Sequence, residues 1–261
     1  MKYLTVLAAS AALLSGVASS EAAQVAALWG DNTISIVDTD QKKVVKTWKI
    51  NGVNGQVLGI DVRPADGMLY GVVADGTVVT IDLASGQATQ KSKLDMMLPA
   101  GAMATVDFNP AADRLRIIGS DGSNLRANVD DGKVTKDGNL KFADADANKG
   151  KTPKVIAGAY TNSFKGSKDT ALYDIDGTVG AVLRQAPPND GVLNTVGMHG
   201  VTGDTVAFDI WSDGKGGNEA WLLAGDTLYK IDLASGKATS VGKIGGVQGP
   251  VRDMAILPAM Y

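Results

Sequence analysis

The phrase IDLASGQAT, residues 81–89, returns as IDLASGKAT at residues 231–239. A nine-residue string written twice, 150 positions apart, marks a repeat, and weaker copies fill the interval. SIVDTDQKKVV, RANVDDGKVT and YDIDGTVGAV keep the same order: apolar alternation, Asp, turn residues, Gly or Lys, then a β-branched run. The aspartates of the five copies are Asp38, Asp82, Asp130, Asp176 and Asp232, spaced 44 to 56 residues apart. A period of that length belongs to the blades of a β-propeller.

Each unit divides further into four short strands. The second reads GIDVRP, MLYGVVADG, TVVTIDLASG and QATQKSKL; the third reads TVDFNP, RLRIIGSDG, SNLRANVDDG and KVTKDGNL. Val, Ile and Leu alternating with small or polar residues, with Gly and Asp at the breaks, is the pattern of antiparallel meanders. Pro64 and Pro110 each close a first strand, where a missing backbone donor does least harm. The two ends of the chain fit together. QVAALWGDN, TISIVDTD and KKVVKTWKI supply the second, third and fourth strands of a blade without its first, and PVRDMAILP near the C-terminus is a lone first strand. Joining them closes the ring and removes two exposed sheet edges. The expectation is an all-β chain: a five-bladed propeller of four-stranded blades, closed by the C-terminal strand. Six blades is the alternative, if Val182 to Val206 contains another meander.

Residues 1–22 read as a secretory signal peptide, leaving 23–261 as a single propeller domain. Lys2 precedes the apolar run Leu4 to Ala18, which is shorter than the roughly 20 residues a membrane span needs, and Ser20 and Ala22 suit cleavage. The mature chain is therefore expected in the periplasm or secreted, without a membrane span. The sequence has no Cys, which excludes disulfides, a lipid-anchored N-terminus, thiolate metal sites and a cysteine nucleophile. Lys and Arg number 25 against 28 Asp and Glu, without long runs of one sign, so no footprint for nucleic acid is present. A monomer is expected.

The string DFNPAADRLRIIGSDGSNLRANVDDG, followed in order by DGNLKFADAD, AYTNS, ALYDID and QAPPNDGVLNTVG, resembles an exported bacterial family, domain-of-unknown-function family 4394. The resemblance runs most clearly from Leu58 to the end. It implies a propeller-like fold and no established reaction, so it carries no catalytic residue to this chain.

Candidate sites follow from the repeat. First strands of blades line a propeller's axis, and three carry Asp at one equivalent place: Asp61, Asp107 and Asp209. Nearby candidates are Arg63, Asn109 and Trp211 in the same blades, Tyr160 and Asn162 in AYTNS, and Arg252 and Asp253 in the closing strand. Converging carboxylates can hold a cation or serve as acid and base in glycoside hydrolysis. They can equally accept hydrogen bonds from a neighbouring blade or from Arg63 and Arg252, as buried charges usually do. In DADANKG, the residues Asp144, Asp146 and Asn148 have half of a calcium-loop spacing; Lys149 and Val155 stand where the turn Gly and bidentate Glu of an EF-hand belong. An acidic surface turn explains the same residues. His199, the single histidine, lies among glycines without the elbow or second histidine that a serine or zinc hydrolase needs.

Two functions compete on this reading. The first is an exported binding module for a small molecule, an envelope component or a protein partner. The second is a glycosidase- or esterase-like hydrolase that uses the axial carboxylates, with Ca²⁺ as its cofactor.

Overall fold

The computed structural model describes residues 24–203 and 205–258, so the expected leader, residues 1–22, lies outside the described residues. The described chain opens with β1 (Gln24–Trp29), β2 (Thr33–Asp38) and β3 (Lys43–Lys49). A second meander runs through β4 (Val57–Val62), β5 (Leu69–Val73), β6 (Thr77–Ile81) and β7 (Ala88–Lys93). The third contains β8 (Ala104–Asn109), β9 (Arg114–Gly119), β10 (Asn124–Ala127) and β11 (Val134–Lys136). A two-residue strand, β12 (Lys141–Phe142), precedes the fourth: β13 (Val155–Tyr160), β14 (Leu172–Asp176), β15 (Ala181–Gln185) and β16 (Val192–Met198). The fifth is β17 (Val206–Ser212), β18 (Asn218–Ala224), β19 (Thr227–Ile231) and β20 (Ala238–Lys243), and β21 (Val251–Leu257) follows.

Among the described residues these strands form five antiparallel sheets arranged as a five-bladed propeller. β21 pairs with β1, Gln24 opposite Leu257 and Ala27 opposite Met254, and so becomes the innermost strand of the first blade. Closure by the last strand is as expected, and among the described residues from Val182 to Val206 there is no sixth meander. The ring is completed by contacts of β21 with β4, β4 with β8, β8 with β13, β13 with β17 and β17 with β21. The fourth blade carries β12 as a parallel extra strand on β16.

Five apolar clusters stabilise the ring, one between each pair of neighbouring blades. Leu28 and Ile34 pack with Ile60 and Leu69 between the first and second blades. Trp29 and Val25 pack with Leu223 and Leu228 between the first and fifth. The outermost strands are polar by contrast: KVVKTWK in β3 and ATQKSK in β7 are mostly exposed. Lysines on such edges oppose pairing with other chains. A bulge in the pairing of third with fourth strand recurs at Ile36/Val37, Val78/Val79, Val182/Leu183 and Leu228/Tyr229, adding twist to the outer half of each blade.

The repeated phrase is a hairpin between third and fourth strands. Asp82 accepts from the Ala84 N–H at 2.7 Å and the Ser85 hydroxyl at 2.9 Å; Asp232 does the same with Ala234 and Ser235. Gly86 and Gly236 follow at φ 75° and 74°. A Cβ on either would sit 2.7 Å from a carbonyl oxygen of the preceding blade, Lys49 or Gly197. The phrase is thus a turn that must also touch its neighbour closely, which only Gly permits.

Two members of the series are not equivalent to the others: in the third blade Asn128 takes the turn position of Asp82 and Asp232, with Gly132 N–H donating to its carbonyl, while Asp130 pairs with Arg63 and Lys91. Asp176 ends β14, the second strand of its blade, and accepts from Thr178 N–H and Val179 N–H in the hairpin to β15. The corresponding third-to-fourth connection of that blade is the turn Ala186–Gly191, with a cis Ala186–Pro187 bond and a short 3-10 turn at Pro188–Asp190. Asp followed by a Gly-containing turn is general hairpin chemistry, so the motif marked the blade and misplaced the strand.

Candidate functional site

The innermost strand of each blade has one edge that no sheet partner covers, and its N–H groups there need acceptors. Side chains of the adjacent blade supply them. Asp61 Oδ2 accepts from Phe108 N–H at 2.7 Å, Asp107 Oδ1 from Tyr160 N–H at 3.0 Å, and Asp209 Oδ2 from Ile256 N–H at 2.6 Å. The donors directly follow Asp107, Ala159 and Ala255, which defines one layer around the axis: Asp61, Asp107, Ala159, Asp209 and Ala255. Two residues earlier on each strand a second layer repeats the device. Asp253 Oδ2 accepts from Ile60 N–H at 3.0 Å, and Thr105 Oγ1 from Gly158 N–H at 3.1 Å. Gly59 makes room for Asp253, since a Cβ there would lie 2.9 Å from Val106 Cγ2 and closer still to the carboxylate.

Asp61, Asp209 and Asp253 also accept from the N–H of the residue that follows each, so both oxygens of these three carboxylates are held by main chain. One oxygen from each of Asp61, Asp107 and Asp209 lies within 4.8 Å of the others, close enough for one hard cation to touch all three. Burial raises the carboxyls of Asp61, Asp107 and Asp253 well above the ordinary range, and neighbouring negative charge raises them further. Asp209 is pushed up to about 6 by burial. Each proton that stays on the cluster at neutral pH removes one repulsive charge from the axis.

The remaining candidates are spread around the ring. Arg63 joins the second and third blades, donating to Asp113 at 2.6 and 2.8 Å and to Asp130 at 2.8 and 3.1 Å, and none of its hydrogen bonds reaches Asp61. Asn109 caps the following turn through Ala111 N–H and Ala112 N–H. The Tyr160 hydroxyl accepts from Arg116 Nε at 3.1 Å between the third and fourth blades. Asn162 exchanges hydrogen bonds with Asn218, and Trp211 stands exposed in β17. Asp146 is held by Thr195 N–H at 2.6 Å and the Thr195 hydroxyl at 2.9 Å. Asn148 donates to that hydroxyl and accepts from Lys151, while Asp144 pairs with Lys149 in solvent. DADANKG thereby staples the blade-to-blade connection onto β16. His199 is buried, its Nδ1 accepts from Val201 N–H at 3.1 Å, and burial lowers its pKa.

Two features were not anticipated from sequence. The first is a buried network between the third and fourth blades. Arg116 donates to Asp137 at 2.6 Å, Asn124 at 2.8 Å and Asn189 at 2.8 Å, and Arg126 completes the pairing of Asp137. Beside it Asp174 is fully buried, neither of its oxygens has a hydrogen-bond partner among the described residues, and burial pushes its carboxyl up to about 8 against the pull of Arg116. An Arg on the interface face of RLRIIG, alternating with Leu115 and Ile117, was the available signal.

The second is a cavity of about 340 Å³ where the inner strands begin, lined by Leu58, Ala104, Ile156, Val206 and Arg252 from the five innermost strands. Each stands three residues before the Asp61 layer, about 10 Å along the axis at ~3.3 Å per residue. Leu98 to Met103, in the connection from β7 to β8, form one wall. The described lining residues include one charged side chain, Arg252, and two other polar ones, Gln56 and Thr205.

Solved structures are similar to this chain at low identity. A protein of unknown function from Bacteroides thetaiotaomicron is 16% identical, with 91% of this chain and 65% of that one covered at a TM-score of 0.52. A second, from Bacteroides caccae, is 16% identical over 88% of this chain and 77% of its own, TM-score 0.45. No curated protein matches the sequence. Residues 33–255 match the family described as a domain of unknown function (DUF4394), and the chain belongs to that family.

Proposed function

We propose that the protein is a binding module that takes a small molecule into the cavity at the axial mouth. The observation that carries this reading is the cavity itself: all five inner strands contribute to it, it is mainly apolar, and one charged group points to selectivity. Its volume falls at the lower end of the roughly 300–1,000 Å³ of small-ligand sites. A hydrolase reading of the axis draws less support. Asp61 and Asp209 spend both carboxylate oxygens on main-chain N–H groups, and a general acid or base needs a free oxygen within reach of substrate. The leader-like residues 1–22 support a module that works in the periplasm or outside the cell.

Native mass spectrometry of protein purified from its own envelope tests the proposal. One small-molecule adduct per chain is expected, and it should disappear in Ala102→Trp, which fills the cavity from its loop wall. Bare polypeptide mass in the unaltered protein, or an adduct indifferent to Ala102→Trp, overturns it.

A further inference from the structure

Arg252 stands apart from the other buried arginines. Arg63 and Arg116 each engage carboxylates and several further acceptors. Arg252 is half-buried in the cavity wall, and among the described residues its guanidinium makes one hydrogen bond, from Nη2 to the Val57 carbonyl. Its Nε is buried without a partner, and no carboxylate among the described residues lies within ion-pair distance. A guanidinium has five N–H donors and is not deprotonated in proteins, so the buried Nε–H and a full charge remain without a protein partner. Among the described residues the acids whose charge acts on it are Asp253, capped by Ile60 and Met254 N–H groups, and Asp31, in the exposed loop between β1 and β2. Burial works against its charge, and an incoming anion would relieve that cost.

Apart from Gln56 and Thr205, the rest of the described lining is apolar. Leu58, Leu98, Ile156, Val206 and Val251 face the same space, and the loop wall adds Pro99 and Met103. Met adapts to irregular aliphatic shapes, and Met103 is nearly half exposed at the rim. One cation in an apolar chamber matches one anion on an apolar body.

Building on the binding reading above, we propose that the ligand class is an aliphatic monocarboxylate, with the carboxylate on Arg252 and the chain against the apolar walls. A planar guanidinium suits a carboxylate geometrically, and the absence of a second basic group in the described lining argues against a dianion.

Calorimetric titration of the mature protein with octanoate, octan-1-ol and octylammonium, each below its micelle concentration, decides the matter. Octanoate should bind at least about ten-fold tighter than the other two, since a charge-assisted hydrogen bond to a buried partner is worth that much. Arg252→Gln should erase the preference and leave octan-1-ol unchanged. The ranking of the three probes on the unaltered protein needs no variant, so a poorly folding Arg252→Gln does not block the test. Equal affinity for octanoate and octan-1-ol, both blocked by Ala102→Trp, overturns the carboxylate assignment and keeps the binding module. No saturable binding by any probe also overturns it, while the native adduct then decides the broader reading by itself.

Discussion

Around the axis, Asp61, Asp107, Asp209 and Asp253 have lost water and, among the described residues, face main-chain N–H groups with no ion-pair partner. Between the third and fourth blades, Arg116 and Asp137 have lost water together, with side-chain exposures of 3% and 5%. Both regions hold polar groups inside a β-sheet ring, yet their chemistry is opposed. At the axis the acids are stabilised in their neutral form, because burial and mutual repulsion penalise ionisation more than backbone dipoles reward it. At the blade interface Asp137 instead faces two permanent cations, Arg116 and Arg126. The propeller thus carries buried acids held without cations beside an ion-paired network, and the two should respond differently to mutation and to salt.

The largest effect is expected at the interface. Arg116→Ala strips Asp137 of one of its two arginines and leaves Asn124, Asn189 and the Tyr160 hydroxyl short of a donor, with Asn124 and Tyr160 buried. Breaking a buried pair by removing one member costs about 3–5 kcal/mol. Urea denaturation should show that loss. A loss below about 1 kcal/mol would mean that Arg126 alone suffices and that the network is no more than a surface pair.

Next comes the pH profile. Asp209 at about 6 and Asp174 at about 8 have folded pKa values above their unfolded ones, so the folded state binds more protons between pH 4 and 8. Stability from these groups is complete below about pH 4 and is lost as pH rises through 6 and then 8. Asp61, Asp107 and Asp253 act in the same direction. His199, held neutral by burial, acts oppositely as pH falls below its ordinary value, and Asp130, lowered chiefly by Arg63, loses its contribution in stronger acid. A proton held by the folded chain and not by the unfolded one stabilises the fold by about 1.36 kcal/mol for each pH unit of acidification. The net expectation is a gain on the order of 3 kcal/mol from pH 8 to pH 5. Calorimetry should place the melting temperature higher at pH 5 by roughly 5–10 °C. A flat or rising profile toward pH 8 would show that Asp174 and the axial acids are ionised, by a bound cation or by entering water.

The axis was legible in the sequence and the interface was not, for a physical reason. Strand alternation and turn spacing are properties of the chain alone, so IDV, VDF and FDI could be aligned and β21 recognised as the strand missing from the first blade. Partners of Arg116 come from positions 8 to 73 residues away and depend on how two blades pack. The same limit hid the cavity, whose walls come from five strands and a loop. It also assigned Tyr160 and Asn162 to the axis as the fourth blade's polar members, whereas the position equivalent to Asp61 is Ala159, and the layer is completed by a small residue.

A smaller effect is expected from Asp61→Ala. Phe108 and Val62 lose their acceptor, and one orphaned buried N–H costs about 1–3 kcal/mol. Because the lost group is neutral when protonated, the penalty should be nearly independent of salt, unlike that of Arg116→Ala. Thermal melts of the two variants at low and high salt make this comparison directly.

The smallest effect, and the sharpest probe of the contrast, is Asp107→Asn. The amide oxygen can still accept from Tyr160 N–H, while the amino group replaces an oxygen that faces other acids. An uncharged side chain of the same shape in place of a protonated carboxyl should change stability by less than about 1 kcal/mol at pH 5. At pH 8 the parent carries the cost of ionising or retaining a proton at this site and the variant does not, so the variant should become the more stable of the two. Parallel pH–stability curves that never cross would mean that Asp107 stays charged throughout, and the axis would then have to be regarded as an anionic site, chemically closer to the arginine networks than to a set of neutral clasps.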